Sequence, residues 1–223
     1  MEGQIGQEGA GPSSFGWVLV VAAILATCFA VAHPHIGSND LSTVLRALAR
    51  GAVFNGWIHG ALMALSAVLV AGFLGFSRRI GLDRPEVVLG MVAYAFGTVA
   101  MACAAAINGF ALGIFAGRYA ALRPEQANAV AASINAMGSI SGAWAGIGAA
   151  ATSAAIAAWS IRLLAFPGAP RATGLFGGLL AAATLVLLAS GTLIMNVHGF
   201  LLLVVSQSLW TVAVGLQLAR GRL

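Results

Sequence analysis

The four histidines are the side chains of this sequence best suited to chemistry. They are His33, His35, His59 and His198. A neutral imidazole nitrogen is a good ligand for copper and for zinc, so convergence of two to four of these rings predicts a transition-metal site. Three methionines in the apolar segments would add soft donors for copper: Met63, Met101 and Met195.

A b-type haem held by two histidines on different helices is a second interpretation of the same residues. His59 and His198 are the pair that the sequence places at similar depth in a helical bundle. A quinone would use the same imidazole donors, with Trp57 as an apolar wall. The sequence therefore leaves copper, zinc and haem b open as cofactors.

Four asparagines lie toward the same ends of the apolar segments as the histidines. They are Asn55, Asn108, Asn135 and Asn196. Counting from the charged boundaries, at about 1.5 Å of helix per residue, places this His/Asn cluster near one membrane face. The simplest interpretation is that these side chains bond to neighbouring backbones at an interface that water reaches.

Other kinds of reaction lack the residues they need. The six acids all lie outside the middle of the apolar segments: Glu2, Glu8, Asp40, Asp83, Glu86 and Glu125. Hence no Ser-His-Asp set, carboxylate-bridged metal oxygenase or buried carboxylate proton relay can be assembled. The eleven basic residues are all Arg at or beyond segment ends, which is typical of a membrane protein and indicates no nucleic-acid patch.

The elements that position the histidines and asparagines are long apolar segments. The chain has 223 residues, of which 60% are hydrophobic and 8% charged, whereas a soluble domain has roughly 25% charged residues. Charge-free runs longer than the roughly 20 residues that cross a bilayer recur along it. We therefore expect an all-α membrane bundle, residues 1–223, with six spans near 15–32, 54–77, 87–108, 138–161, 173–195 and 200–219.

Residues 40–50 predict a short amphipathic helix between the first two spans. Ser38-Asn39-Asp40 is typical of a helix cap, apolar residues follow at helical spacing, and Gly51 is a suitable end. We expect this helix to lie on the outer membrane surface. Spans three and four exceed the bilayer thickness and are expected to tilt or to project outward together as a helical hairpin. The turn between spans five and six is expected at Asn196-Val197-His198-Gly199.

The arginines predict the orientation of the bundle. Six spans put both termini on one side, and with the N-terminus inside seven arginines are cytoplasmic and four are outside. This excess favours a bacterial-type inner membrane with both termini in the cytoplasm. Ala30-Val31-Ala32 resembles a signal-peptide cleavage site that would expose His33, but no Lys or Arg precedes it, which disfavours cleavage.

A ribbon of small residues runs along the fourth span. Gly138, Gly142 and Gly146 are four residues apart and so share one helix face, as two overlapping G-x-x-x-G units. We expect this face to pack against a neighbouring helix of the same chain. Packing in a homodimer or against another membrane subunit is the alternative.

These features favour a non-enzymatic binding or accessory subunit in the inner membrane. Its expected partners are the lipid bilayer and other membrane subunits or a second copy, with no nucleic acid. The first alternative is a redox or metal-handling protein that uses the four histidines. The second is a small-molecule carrier, which the missing buried charges and the lack of an inverted repeat disfavour.

Overall fold

The structure is a computed structural model that describes residues 12–33, 40–123, 126 and 128–223. Its helices are α1 (Ser14–Val31), α2 (Leu41–Ile80), α3 (Pro85–Ala106), α4 (Leu112–Tyr119), α5 (Ala131–Leu163), α6 (Ala169–Ala189) and α7 (Val197–Ala219). A π-helical turn, Ile107–Ala111, joins α3 to α4, and a 3-10 turn, Asn128–Val130, precedes α5. Within the described ranges, six helical segments are long and apolar enough to cross a membrane and no strand forms. The prediction of an all-helical chain with six apolar spans is confirmed.

Local sequence explains several helix boundaries. The Asp40 side chain accepts a hydrogen bond from the backbone N–H of Thr43 at 2.9 Å and so caps α2. Pro85 is the first residue of α3, a position whose backbone N–H would have no acceptor within the helix, so the missing N–H of proline costs no hydrogen bond. Gly81 and Gly168 have φ angles of 110° and 69°, a region that favours glycine, and each lies in a turn that reverses the chain.

The separate surface helix expected at residues 40–50 is wrong. Leu41–Ile80 is one continuous helix of 40 residues, and Gly51 does not end it. Leu45 is buried together with Ala116 of α4, and residues from the start of α5 pack around them. Neighbouring helices therefore cover the amphipathic face, and one internal glycine costs a helix only about 1 kcal/mol.

Three apolar segments are longer than a bilayer requires. Leu41–Ile80, Pro85–Tyr119 and Asn128–Leu163 have 40, 35 and 36 residues. At 1.5 Å per residue these helices are about 50–60 Å long, against roughly 30 Å for the hydrocarbon core. The sequence predicted this excess length for spans three and four. The long α2 packs beside them through the contact around Leu45.

Helices come into close backbone contact at pairs of glycines. A Cβ atom added to Gly97 of α3 would lie 3.0 Å from the carbonyl oxygen of Gly148 in α5. A Cβ atom added to Gly215 of α7 would lie 2.8 Å from the carbonyl oxygen of Gly16 in α1. Such small residues allow helix backbones to come into contact where the surroundings are apolar.

The connection between α6 and α7 lies earlier than the expected turn. Helix α6 ends at Ala189 and α7 begins at Val197, so the connection comprises residues 190–196. The Asn196 side chain accepts a hydrogen bond from the backbone N–H of Gly199 at 2.9 Å and caps α7. His198 thus lies in the first turn of a helix, because the cap starts the helix before it.

An aromatic cluster fills one end of the bundle. It consists of Phe73, Phe76, Tyr94, Trp159 and Trp210. The rings of Phe73 and Trp159 stack with centroids 4.7 Å apart, and those of Trp159 and Trp210 stack at 6.1 Å. Stacked and edge-on aromatic pairs of this kind leave this part of the bundle densely packed.

Arginine side chains tie together the chain segments at the same end. Arg162 donates from Nε to the carbonyl oxygen of Ile80 at 2.8 Å, and Arg79 donates to the carbonyl oxygen of Leu223. We call this the Arg-rich end; it comprises the loops 81–84 and 164–168 and residues 220–223. The opposite end contains the end of α1, the 190–196 loop and the described residues of the His/Asn cluster, and is called the His/Asn end.

Candidate functional site

A cavity of about 1110 Å³ runs from the His/Asn end into the bundle. Residues of α1, α2, α3, α5 and α7, of the π-helical turn and of the 190–196 loop form most of its wall, which is mostly apolar. Along α2 the wall extends from Ala47 to Phe73, a distance of about 39 Å of helix. Among the residues that the structure describes, no charged side chain lines this cavity. Of the histidines and asparagines singled out from the sequence, six line it: His33, Asn55, His59, Asn108, Asn135 and Asn196.

His33 and His59 form a contact in the cavity wall. Their Nε2 atoms are 3.4 Å apart, and the ring centroids are 4.9 Å apart in an edge-to-face arrangement. His59 is only 5% exposed, whereas His33 is half-buried at the end of α1. The structure therefore pairs His59 with His33.

The His59 ring is oriented by its own helix. Nδ1 of His59 lies 2.9 Å from the carbonyl oxygen of Asn55, one turn earlier in α2. A carbonyl oxygen only accepts hydrogen bonds, so Nδ1 carries the proton and donates it. In the neutral ring Nε2 then carries the lone pair, and this is the atom that lies beside His33.

The π-helical turn meets α2 at the same place. Nδ2 of Asn55 donates a hydrogen bond to the carbonyl oxygen of Asn108 at 2.8 Å. Oδ1 of Asn55 is buried and accepts no hydrogen bond from a described residue. Gly109 lies against the His59 side chain so closely that a Cβ atom there would overlap with it. The turn therefore positions both Asn55 and His59, as π-helical turns often do at functional sites.

Asn135 and Asn196 complete the asparagines of the cavity wall. Asn135 is exposed in the first turns of α5, and Asn196 is the cap of α7. Asn196 thus has a structural role as well as a place in the wall. All four asparagines line one cavity. Among the described contacts, the Asn55 side chain is the one of these that bonds to a neighbouring helical segment.

The remaining predicted ligands fall elsewhere. His35 lies outside the described residues. His198 is exposed in the first turn of α7 and is not part of the cavity wall, so the haem pair expected of His59 and His198 is not formed around this cavity. Within the described ranges, no three His, Cys, Asp or Glu residues are grouped as a metal site of that kind would require. Of the three histidines that the structure describes, His33 and His59 are the two in contact.

The expected packing of Gly138, Gly142 and Gly146 within the chain is wrong. A Cβ atom added to any of them would meet nothing within 4 Å, and all three line the cavity. The glycine of α5 that packs is Gly148, which faces Gly97. Repeats of small residues show that one helix face carries only small side chains. The rotation of the helix about its axis decides whether another helix or a cavity lies against that face.

Polar residues deeper in the cavity were missed from the sequence. Gln207 of α7 donates through Nε2 to Thr152 at 3.1 Å and is near Ser153 at 3.3 Å, both on α5. Ser66 and Thr211 also line the deep part of the wall. The signal for Gln207 was its position in the middle of an apolar segment, where an amide side chain needs a partner.

The cavity ends at the aromatic cluster. Phe73 and Tyr94 belong both to that cluster and to the cavity wall, and Trp159 and Trp210 behind them are fully buried. The cavity therefore has its imidazoles and asparagines toward the His/Asn end, a smaller polar set around Gln207 deeper in the wall, and an aromatic floor. Comparison of the chain with protein-family models, with curated proteins and with solved structures finds no match.

Proposed function

We propose that this protein is a non-enzymatic membrane protein that binds an amphipathic small molecule in the cavity between its helices. The observation that carries the proposal is the cavity itself, which combines an apolar wall with a polar end containing His33, His59 and Asn55. Small-molecule sites are commonly concave, mostly apolar and provided with a few polar groups that orient the ligand.

The distribution of polar groups supports a ligand with one polar end. The imidazoles and asparagines of the wall lie toward the His/Asn end. The amide N–H of the deeper Gln207 is already bonded to Thr152 and Ser153, and Phe73 and Tyr94 form the floor. A ligand whose apolar part extends toward the floor would bury that part and keep its polar end near the imidazoles. Because the wall carries no charge among the described residues, a neutral polar group suits it better than an ionic group.

The closed floor supports binding over transport. The stacked rings of Phe73, Trp159 and Trp210 occupy the path from the cavity to the Arg-rich end. A carrier in this state would need a polar route past them. A ligand that enters from the His/Asn end meets this aromatic cluster before it reaches the Arg-rich end, as expected of a binding subunit.

The surface of the bundle supports insertion in a lipid bilayer. Each of the six long apolar segments carries large apolar side chains that are exposed, such as Trp17, Val68, Leu89, Ile147, Leu179 and Leu209. The excess of arginines at the Arg-rich end supports an inner-membrane orientation with both termini in the cytoplasm. The cavity would then lie on the outer side.

Gly142 offers a direct test of ligand binding. Its position is open toward the cavity, so Gly142→Phe fills part of the cavity without pushing helices apart. The protein is purified in lipid nanodiscs, and co-purified small molecules are identified and counted by native mass spectrometry and by solvent extraction. We expect the wild type to carry a bound amphipathic molecule and Gly142→Phe to reduce its occupancy by about tenfold.

The matched control is Gly117→Phe. Gly117 is also helical and open, but it lies in α4 outside the cavity wall. This variant should keep wild-type occupancy. Equal occupancy in both variants, or a wild type that binds no small molecule from a membrane extract, would contradict the proposal.

A further inference from the structure

We propose that His33 and His59 form a binding site for a monovalent copper ion, Cu(I), in the wall of the cavity. The proposal rests on the geometry of the two rings and on the charge of their surroundings. It does not depend on the organic ligand proposed above.

The separation of the two Nε2 atoms fits a shared metal ion. Two imidazole nitrogens about 2.0–2.1 Å from a tetrahedral metal are about 3.3–3.4 Å apart, whereas linear coordination would separate them by about 4 Å. The observed distance is 3.4 Å. A hydrogen bond from N–H is usually about 2.7–3.2 Å long, so a direct bond between the rings would be a poor one.

The environment of His59 prepares it as a ligand. Its Nδ1 donates to the carbonyl oxygen of Asn55 at 2.9 Å, which leaves the Nε2 lone pair for the metal. Metal-binding histidines usually donate the other ring N–H to a carbonyl or carboxylate in this way. Gly109 packs against Cβ, Cγ and Nδ1 of His59 and so restricts where the ring can move. His33 contributes Nε2 once its own proton is on Nδ1.

The lack of charged side chains in the described cavity wall favours a monovalent ion. Among the described residues, neither Asp nor Glu lines the cavity, so two neutral rings would leave the full charge of the ion uncompensated. The cost of placing an ion in apolar surroundings rises with the square of its charge, which disfavours Zn²⁺ and Cu²⁺ relative to Cu(I).

Methionines add soft donors to the same wall. Met63 is four residues after His59, on the same face of α2, and both residues line the cavity. Met101 and Met195 line it as well. Thioether sulfur is a ligand that favours Cu(I) over Zn²⁺. The tetrahedral spacing of the two imidazole nitrogens requires two further ligands, and these thioethers are the soft donors of the cavity wall that would supply them to Cu(I).

The test is an anaerobic titration of the full-length protein in nanodiscs with Cu(I), in competition with a chromophoric Cu(I) chelator. We expect one Cu(I) per chain in the wild type. His33→Gln and His59→Gln should each weaken the affinity by about 100-fold or more. His198→Gln is the matched control, because His198 is exposed outside the cavity wall, and it should keep the wild-type affinity within about twofold.

Two further measurements make the outcome decisive. X-ray absorption of the copper-loaded wild type should show nitrogen ligands at about 2.0 Å, and excess Zn²⁺ should not displace the copper. His33→Gln keeps the test valid if His59→Gln does not fold, because His33 is only half-buried. Absence of Cu(I) binding, unchanged binding in folded His33→Gln, or displacement by Zn²⁺ would overturn the proposal.

The copper result and the small-molecule result can be distinguished. Copper is measured by elemental analysis and the organic molecule by mass spectrometry. Loss of copper binding with the organic molecule retained rejects only the copper site. Stoichiometric Cu(I) without any bound organic molecule rejects only the proposed small-molecule function.

Discussion

At the scale of single residues, the Asp40 carboxylate makes the stability of the start of α2 depend on pH. Its carboxylate accepts hydrogen bonds from the Thr43 hydroxyl at 2.6 Å, from the Ser42 hydroxyl at 2.7 Å and from the Thr43 backbone N–H at 2.9 Å. These bonds, the Thr43 hydroxyl first, lower the pKa of Asp40 from 3.8 to about 2. The capping contribution is therefore complete above pH 3.8 and is lost as the pH falls toward about 2.

The titration of Asp40 can be followed by the ¹³C chemical shift of its carboxyl group. We expect a midpoint near pH 2 and faster hydrogen exchange at the Thr43 amide below it. Asp40→Asn keeps an oxygen that can cap the helix but does not titrate, so its Thr43 exchange should lack this transition. A wild-type midpoint at the ordinary value of 3.8 would contradict the assigned hydrogen bonds.

Gly109 is the residue on which the position of His59 depends. A methyl group at Gly109 would overlap with Cβ and Cγ of His59, and the π-helical turn would have to move away from α2. We expect Gly109→Ala to lower the free energy of unfolding by about 1–3 kcal/mol. Chemical unfolding in detergent, followed by circular dichroism, measures this change.

Gly117→Ala is the control for Gly109→Ala on the same composite span. Gly117 has open space around it, so alanine should stabilise the helix by about 0.5–1 kcal/mol. Equal stability of the two variants would show that the close contact between Gly109 and His59 is not present in the protein.

At the scale of secondary-structure elements, α5 carries glycines with two different roles on different faces. Gly148 contacts α3, where a Cβ atom would lie 2.7 Å from Cγ of Met101 and 3.0 Å from the Gly97 carbonyl oxygen. Gly138 faces the cavity with open space. We expect Gly148→Leu to separate α3 from α5 and to destabilise the protein by about 1–3 kcal/mol, whereas Gly138→Leu leaves stability unchanged or raised.

Thermal unfolding of the two leucine variants in the same detergent measures the difference. Expression and monodispersity in size-exclusion chromatography report separately on assembly. If Gly138→Leu were the destabilised variant, the face lined by Gly138, Gly142 and Gly146 would be a helix interface after all, as the repeat first indicated.

At the scale of the whole molecule, the His/Asn end and the Arg-rich end should lie on opposite sides of the membrane. Thr192 and Asp83 are exposed in the 190–196 and 81–84 loops, one at each end. We introduce Thr192→Cys or Asp83→Cys after replacing Cys28 and Cys103 by alanine. A thiol reagent that does not cross membranes should label Thr192→Cys in intact spheroplasts and Asp83→Cys only after lysis. Labelling of Asp83→Cys in intact spheroplasts would contradict the orientation.

The sequence by itself determined the number of apolar helices and the end at which the polar residues gather. Hydrophobicity and charge act over segments of about 20 residues, so they mark the six spans without knowledge of packing. Alternation of direction then assigns His59, Asn108 and Asn196 to one end. These properties are local to each segment, which is why reasoning from the sequence reached them.

The contacts of individual faces were decided only by the tertiary structure. Pattern alone does not distinguish an amphipathic face that meets lipid headgroups from one that meets neighbouring helices, so residues 40–50 were assigned to a separate helix. One cap at Asn196 moved His198 into a helix and out of the cavity wall. The close contacts at Gly97, Gly148 and Gly109 form between helices that are far apart in the sequence, as does the contact of His59 with His33, so a pattern within one segment does not reveal them.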